Sequence, residues 1–386
     1  MKKTFIDIDY GFIPKFGQIV CGDVFLSEKI KNENRLVAVL SDGLGSGIRA
    51  NILANMTATM ALNFTINDQP IERSATSIRD TLPVDPQRKI AFASFTIVDT
   101  EFDGKTRIIE YGNPQFLVFR KNELLALEHQ VLADGEVSIT EFQTQKEDRI
   151  VLFSDGVSQS GIGRKDMPFG WETDQMGGVI SQIIEKNPGI SAYELRKRII
   201  SQSVLNDIGK PSDDITCAVL YFRNPRKLLV CTGPPFSKSK DEEMAATIRE
   251  FEGRTVLCGG TTAVIVAREW GEQIEVDMKN FTSDIPPISY INGVDLVTEG
   301  ILTLCKAAEL LKHGNYEDAA RHDPARLVIE EFLSHDHIEF LVGTKINEAH
   351  QDPSLPVELE IRRNVIKKIA YLLEKKYLKE ASLKYI

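Results

Sequence analysis

Four aspartates in the first 220 residues sit in surroundings that repeat. Asp23 lies in Val20-Cys21-Gly22-Asp23, Asp42 in Val39-Leu40-Ser41-Asp42-Gly43 and Asp155 in Leu152-Phe153-Ser154-Asp155-Gly156. Asp213 opens Asp213-Asp214-Ile215-Thr216. Asp42 and Asp155 leave apolar runs with the character of strands, and Asp213 leads into one. Strand ends are rigid, so they can bring distant residues onto one rim. Carboxylates there, with no histidine before His129, suit hard cations such as Mg2+ or Mn2+ rather than zinc or copper. Neighbouring carboxylates repel, and two divalent cations would offset that repulsion. The glycine after Asp42 and after Asp155 predicts a sharp backbone turn that lets a carbonyl face the site. A single Ser-Asp-Gly is an ordinary turn tripeptide; two copies after apolar runs, with Gly22-Asp23 and Asp213-Asp214 in order around them, argue for a site.

The elements that must position these residues are short. Alternating stretches predict strands over Arg35–Leu40, Thr106–Glu110, Phe116–Arg120, Arg149–Phe153 and Ile215–Phe222. Helical spacing marks Ile48–Phe64, Gly178–Glu185 and Ala192–Leu205, and the Met56/Met60 stripe of the first is expected in the core. Strands dominate without strict alternation, which favours an α+β fold.

The ordered set resembles a known family. Gly22-Asp23, Ser41-Asp42-Gly43-Leu44-Gly45-Ser46-Gly47, Tyr111-Gly112-Asn113-Pro114-Gln115-Phe116, Phe153-Ser154-Asp155-Gly156-Val157 and Ser212-Asp213-Asp214-Ile215-Thr216 resemble the bacterial SpoIIE-like branch of the metal-dependent (PPM, type 2C) serine/threonine protein phosphatases, over about residues 15–222. The resemblance implies an αββα sandwich, two antiparallel sheets flanked by helices, holding two divalent cations, Mn2+ or Mg2+. Asp42 would bridge them. Asp23 and the Gly43 carbonyl would complete one site, Asp155 and Asp213 the other, with Asp214 behind them. It also implies a phosphoprotein substrate, such as an anti-sigma-factor antagonist, and a helix near the site that switches it. Leu44 stands where the wider family often has histidine. Arg49 and Lys15 are the nearest basic candidates for a substrate phosphate, although surface ion pairs explain both.

Other readings compete. A non-catalytic pseudophosphatase would keep the fold as a binding module. Gly45-Ser46-Gly47-Ile48-Arg49-Ala50 matches a dinucleotide-binding turn with Asp68 further on, but Asp42 at that turn would repel a pyrophosphate.

Across 386 residues the charge is -10, from 46 basic and 56 acidic side chains, a poor balance for binding nucleic acid or anionic membrane. Five scattered cysteines without a CxxC pair suggest a reducing compartment. Asp7 and Asp9 interrupt the segment where a secretory signal needs apolar residues, and no apolar run is long enough to span a bilayer. The expectation is a cytoplasmic protein.

The Arg223–Lys227 stretch marks a boundary between a phosphatase-like domain (1–222) and a smaller α/β domain (227–386) of regulatory or ligand-binding role. Expected there are strands at Lys227–Cys231, Thr255–Cys258 and Glu339–Val342, and helices at Lys240–Phe251, Thr262–Trp270, Gly293–His313, Ala325–Leu333 and from Val357 to about Lys376. Gly314 is placed as a helix C-cap. Gly259-Gly260-Thr261-Thr262, a turn into a helix, could hold a small anion, although a tight turn with Thr261 as N-cap explains it. Asp295 and Glu299 are expected on one solvated helix face, and Cys258 in the core.

Overall fold

The computed structural model divides the chain into two compact units, Met1–Asn224 and Pro225–Ile386. It describes residues 4–30, 33–70, 77–78, 93–132, 137–277, 286–345 and 355–386.

The first unit runs β1 (Phe5–Ile13), β2 (Val24–Ile30), β3 (Arg35–Gly43), α1 (Ile48–Ile66), β4 (Ala93–Glu101), β5 (Lys105–Tyr111), β6 (Leu117–Arg120), β7 (Glu123–Leu124), β8 (Gln130–Val131), β9 (Val137–Gln143), β10 (Asp148–Phe153), α2 (Asp155–Ser158), α3 (Thr173–Lys186), α4 (Ala192–Asn206) and β11 (Ile215–Arg223). They form two antiparallel sheets, ordered β1-β11-β10-β6-β7 and β2-β3-β4-β5-β9-β8. Every residue of β10 and β11 is buried, and a strand buried throughout needs cover on both faces. In the first sheet Val151, Phe153, Cys217 and Val219 pack against Trp171 and helices α3 and α4. In the second, Val37, Val39, Phe95 and Ile97 pack against α1. The alternate residues Leu36, Ala38, Leu40, Ile150, Leu152, Ala218 and Leu220 are fully buried on the opposite faces. Tyr10 of β1 stacks on Phe25 of β2, with centroids 4.8 Å apart, joining one sheet to the other. This is the αββα sandwich.

β1 alternates apolar and acidic residues over Ile6-Asp7-Ile8-Asp9-Tyr10, a period-two strand pattern that the expected strands did not include. Asp7 pairs with Arg223 of β11 at 2.9 Å and Asp9 with Arg196 of helix α4 at 2.8 Å, so each charge is matched. One expectation about α1 needs correction. Met56 is 45% exposed, not core, and only Met60 packs inward. Inward positions are instead filled by Ala50, Ala54, Ala58 and Ala61, whose small side chains let the helix lie close to the sheet.

The second unit runs β12 (Lys227–Thr232), α5 (Asp241–Arg249), β13 (Arg254–Cys258), α6 (Gly260–Trp270), β14 (Glu275–Val276), β15 (Ser289–Tyr290), β16 (Leu296–Thr298), α7 (Ile301–His313), α8 (Pro324–Ser334), β17 (His337–Val342), α9 (Leu355–Lys376) and β18 (Glu380–Tyr385). Its sheet is ordered β14-β15-β16-β13-β12-β17-β18, and β16, β13, β12, β17 and β18 are parallel. In chain order these five strands read 3-2-1-4-5, an open doubly wound sheet with its switch point between β12 and β17. Its core gathers Leu229, Met244, Leu257, Val266 and Val297, with Trp270 packed against them.

The expected helix Gly293–His313 starts late. Leu296-Val297-Thr298 is a strand beside β13, and the helix begins only after Gly300. Asp295 and Glu299 therefore share no helix face. Asp295 accepts from the Thr255 N–H at 2.7 Å, and Glu299 from the Leu302 N–H at 3.1 Å. The cap of α6 is Gly259, not Thr261. Gly314 does close α7 in the left-handed conformation, with φ 74. Cys258 is fully buried, and burial pushes its thiol up to about 12. Among the described residues no helix is long and apolar enough to cross a membrane.

Candidate metal centre

Antiparallel register explains why the aspartates meet. Val24 pairs with Ser41 across β2 and β3, so the next position outward sets Asp23 opposite Asp42. In the other sheet Phe153 of β10 pairs with Cys217 of β11, which places Asp155 beside the Asp213-Asp214 turn. Both pairs stand at the same end of the sandwich. The Asp42 carboxyl shares hydrogen bonds with Asp23 and with Asp155, and Asp213 acts on Asp42 and Asp155 through its charge.

Burial and mutual repulsion raise Asp23, Asp42 and Asp155. Asp42 is held well above the usual carboxylate range, first by burial and then by Asp23, Asp155 and Asp213. Burial lifts Asp23 to about 7, although hydrogen bonds from Thr216 and Ser154 pull the other way. Asp155 is raised by burial and by Asp213, with Lys15 opposing. The hydrogen bonds of Asp42 with Asp23 and Asp155 link the carboxyls of the cluster.

Among the described residues no three His, Cys, Asp or Glu side chains already stand at metal-ligand spacing. The donor set nonetheless fits a hard cation. Asp23 Oδ2 and Asp214 Oδ2 are buried and accept no hydrogen bond, and a buried unmatched carboxylate oxygen is costly unless a cation or proton meets it. Asp214 Oδ1 is occupied by the Lys15 N–H at 3.0 Å, and Lys15 Nζ lies 3.7 Å from Asp213.

The two glycines serve a purpose other than turning. Neither Gly43 nor Gly156 has positive φ. A Cβ on Gly43 would stand 2.2 Å from the Ala50 carbonyl oxygen, and one on Gly156 would stand 2.2 Å from the Asp214 carbonyl oxygen. They allow α1 to lie on the Asp42 strand and α2 on the Asp213-Asp214 turn. Asn51 of α1 also donates to the Cys21 carbonyl at 2.8 Å, tying the helix to the loop of Asp23.

Sequence reasoning missed Ser154 and Thr216, whose side chains are buried beneath the cluster. Ser154 Oγ accepts from the Thr216 N–H and donates to the Asp214 carbonyl, bracing both loops. The only signal was their adjacency to the aspartates. Lys15 forms the surface ion pair expected of it, and its partner is Asp213 of the cluster. Arg49 is exposed on the first turn of α1. Gly45–Ala50 follows a strand whose neighbours are both antiparallel, so the βαβ setting of a dinucleotide fold is missing there.

A family model, that of stage II sporulation protein E (SpoIIE), matches residues 32–223. No curated protein matches the chain. Similar solved structures include the phosphatase domain of SpoIIE from Bacillus subtilis, at 14% identity and TM-score 0.43, covering 58% of this chain and 95% of that one. Another holds the RsbU and RsbW domains of a Mycobacterium tuberculosis protein, at 17% identity and TM-score 0.47, covering 64% and 67%. A third is RsbX in complex with magnesium, at 16% identity and TM-score 0.39, covering 56% and 95%. Matched by that model, and carrying the sandwich with its aspartates gathered at one end, the first unit of this chain belongs to the SpoIIE-like branch of the PPM (type 2C) phosphatases.

Proposed function

We propose that the first unit is a metal-dependent phosphatase that hydrolyses phosphoserine or phosphothreonine on a signalling protein. The observation that carries this reading is the convergence of Asp23, Asp42, Asp155 and Asp213 from four chain segments, with Asp42 hydrogen-bonded to Asp23 and Asp155, and Asp213 acting on it through its charge. Asp42 would lie between two Mn2+ or Mg2+ ions, Asp23 and the Gly43 carbonyl would hold one, and Asp155 and Asp213 the other. When bound, such a pair supplies a water of lowered pKa and positive charge for the phosphoryl oxygens.

The chain's own residues do the rest. Asp42 and Asp23 must give up their protons to become ligands. Ser154 and Thr216 hold Asp23 by hydrogen bonds that favour its charged form. Asp214 stands behind the ligands, anchored to the backbone of Lys15. The Lys15 ammonium offsets negative charge near Asp213 and is the cation best placed to meet a substrate phosphate. Leu44 offers no proton to the leaving alcohol. Cys21 is no nucleophile, because burial pushes its thiol up to about 12.

The proposed setting is the bacterial cytoplasm, and the proposed substrate an anti-sigma-factor antagonist or a similar phosphoprotein. The second unit would regulate the first. Support for a switch comes from α1, whose first turn presses on Gly43 and whose Asn51 grips the loop of Asp23.

The test is hydrolysis of p-nitrophenyl phosphate and of a phosphoserine peptide, with Mn2+, with Mg2+ and with EDTA. Metal-dependent turnover that Asp42→Asn abolishes is expected. Turnover that ignores metal, or survives Asp42→Asn, would sink the proposal, and no turnover under any condition would return the chain to the pseudophosphatase reading.

A further inference from the structure

The exits of the central parallel strands of the second unit share one trait. Glycine follows within two residues of each: Gly233 after β12, Gly259-Gly260 after β13, Gly300 after Glu299 at the end of β16, and Gly343 after β17. The crowding there is severe. A Cβ on Gly300 would lie 3.3 Å from the Gly259 Cα, and one on Gly343 would lie 2.2 Å from the Gly233 carbonyl oxygen. In an open doubly wound sheet this rim, beside the switch point, is where ligands bind.

Two helices start side by side on the rim. Both follow the pattern Gly-x-x-Thr: Gly259-Gly260-Thr261-Thr262 opens α6 and Gly300-Ile301-Leu302-Thr303 opens α7. Both threonines are fully buried, and neither Oγ1 has a hydrogen-bond partner. A buried hydroxyl left unmatched costs about 1–3 kcal/mol, and both occur at the third position of their helix. The Thr262 Oγ1 faces Gly259, 3.3 Å from where a Cβ would stand.

The two helix starts differ in one respect. The Glu299 carboxylate already accepts from the Leu302 N–H of α7. At α6 no side chain caps the first turn, and Gly260 and Thr261 are exposed. Its first N–H groups are therefore open to an anion, with the favourable end of the helix dipole behind them. Positive charge stands nearby. The Arg362 guanidinium of α9 packs on Gly233, its Nη1 2.6 Å from where a Cβ would be.

We infer that the start of α6 binds the phosphate group of a small phosphorylated ligand, held by the Gly260 and Thr261 amides and the Thr262 hydroxyl, with Arg362 adding charge. Free phosphate and a nucleotide present the same group. The site lies wholly within the second unit and does not depend on the phosphatase reading.

The test uses the full chain carrying Asp42→Asn, in EDTA, so that the first unit cannot take up phosphate through cations. Inorganic phosphate and AMP are titrated by calorimetry, with sulfate and chloride as controls. Binding is expected, and Thr262→Val should weaken it about tenfold. The same variant should leave the ligand-free melting temperature unchanged or raised, because it removes an unmatched hydroxyl while keeping the side-chain shape. Arg362→Gln should weaken binding in the same direction. AMP binding more tightly than phosphate would identify a nucleotide, and equal affinities would identify the free anion. Absence of binding up to about 10 mM, where affinity is worth under ~3 kcal/mol, would overturn the inference. So would affinity untouched by both variants, or chloride competing as well as phosphate.

Discussion

In the metal-free chain burial and the neighbouring carboxylates hold Asp42 well above the usual carboxylate range, and a raised acid makes stability depend on pH in an unusual direction. Asp23 rises from 3.8 to about 7 on folding, so between those values the folded state binds more protons than the unfolded one. Stability from this group is greatest below about pH 4 and is lost as pH rises through about 7. Asp42→Asn replaces a carboxyl whose ionised form is disfavoured by burial and by its acidic neighbours with a neutral amide. In EDTA at pH 7.5 it should stabilise the protein by about 1–3 kcal/mol, raising the melting temperature by several degrees. That gain should shrink as pH falls towards 4. Mn2+ should raise the melting temperature of the wild type and not of the variant. Calorimetry with and without metal checks all three, and a variant less stable than wild type in EDTA would contradict the account. The positions of the aspartates were legible because each sits where an apolar run starts or ends. Ser154 and Thr216 were not, since nothing in their types distinguishes a brace beneath a cluster from an ordinary strand residue.

At the scale of elements, the two glycines of the Asp-Gly pairs govern how closely helix and strand approach. Gly43→Ala would drive a methyl into the Ala50 carbonyl, and Gly156→Ala into that of Asp214. Each should cost about 2–4 kcal/mol through forced backbone shifts. Gly43→Ala should also weaken Mn2+ binding, because the displaced helix carries the loop of Asp23 with it; a melting curve paired with a metal titration reads both. The sequence pattern had suggested turning, since glycine signals backbone freedom and close contact with the same letter. Elements with a clean period were legible, among them β3, β10, β11 and α4. β1 shows a period-two alternation over Ile6–Tyr10 whose aspartates gain their partners only in the fold, and β16 was hidden by its three-residue length beside a helix. β18 follows directly on the long α9, and it pairs with β17 from Glu380 to Tyr385, a neighbour no local pattern reveals.

At the scale of the molecule, the units should answer acid in opposite senses. In the second unit burial lowers His335 from 6.5 to about 4, so the unfolded state takes up the proton first. Its stabilising contribution is complete above about pH 6.5 and falls away by up to about 3 kcal/mol as pH drops towards 4. His335→Gln should flatten that dependence. Each unit carries one tryptophan, Trp171 in the first core and Trp270 against the second, and the sequence holds only these two. Single Trp→Phe variants therefore give separate fluorescence melts. On going from pH 7 to pH 5 the second unit's transition should fall further than the first's; equal shifts would show that Asp23 and His335 do not govern the response.

The pairing of β1 with β11 runs from Phe5 opposite Arg223 to Ile13 opposite Ile215. A ribosome must therefore release most of the first unit before its opening strand can find its neighbour. At about 5–20 residues per second, that strand waits on the order of 10 s or longer. Throughout that interval the nascent chain displays an unclosed sheet edge, so a chaperone that shields its first dozen residues should raise the yield of folded protein more than one acting after release.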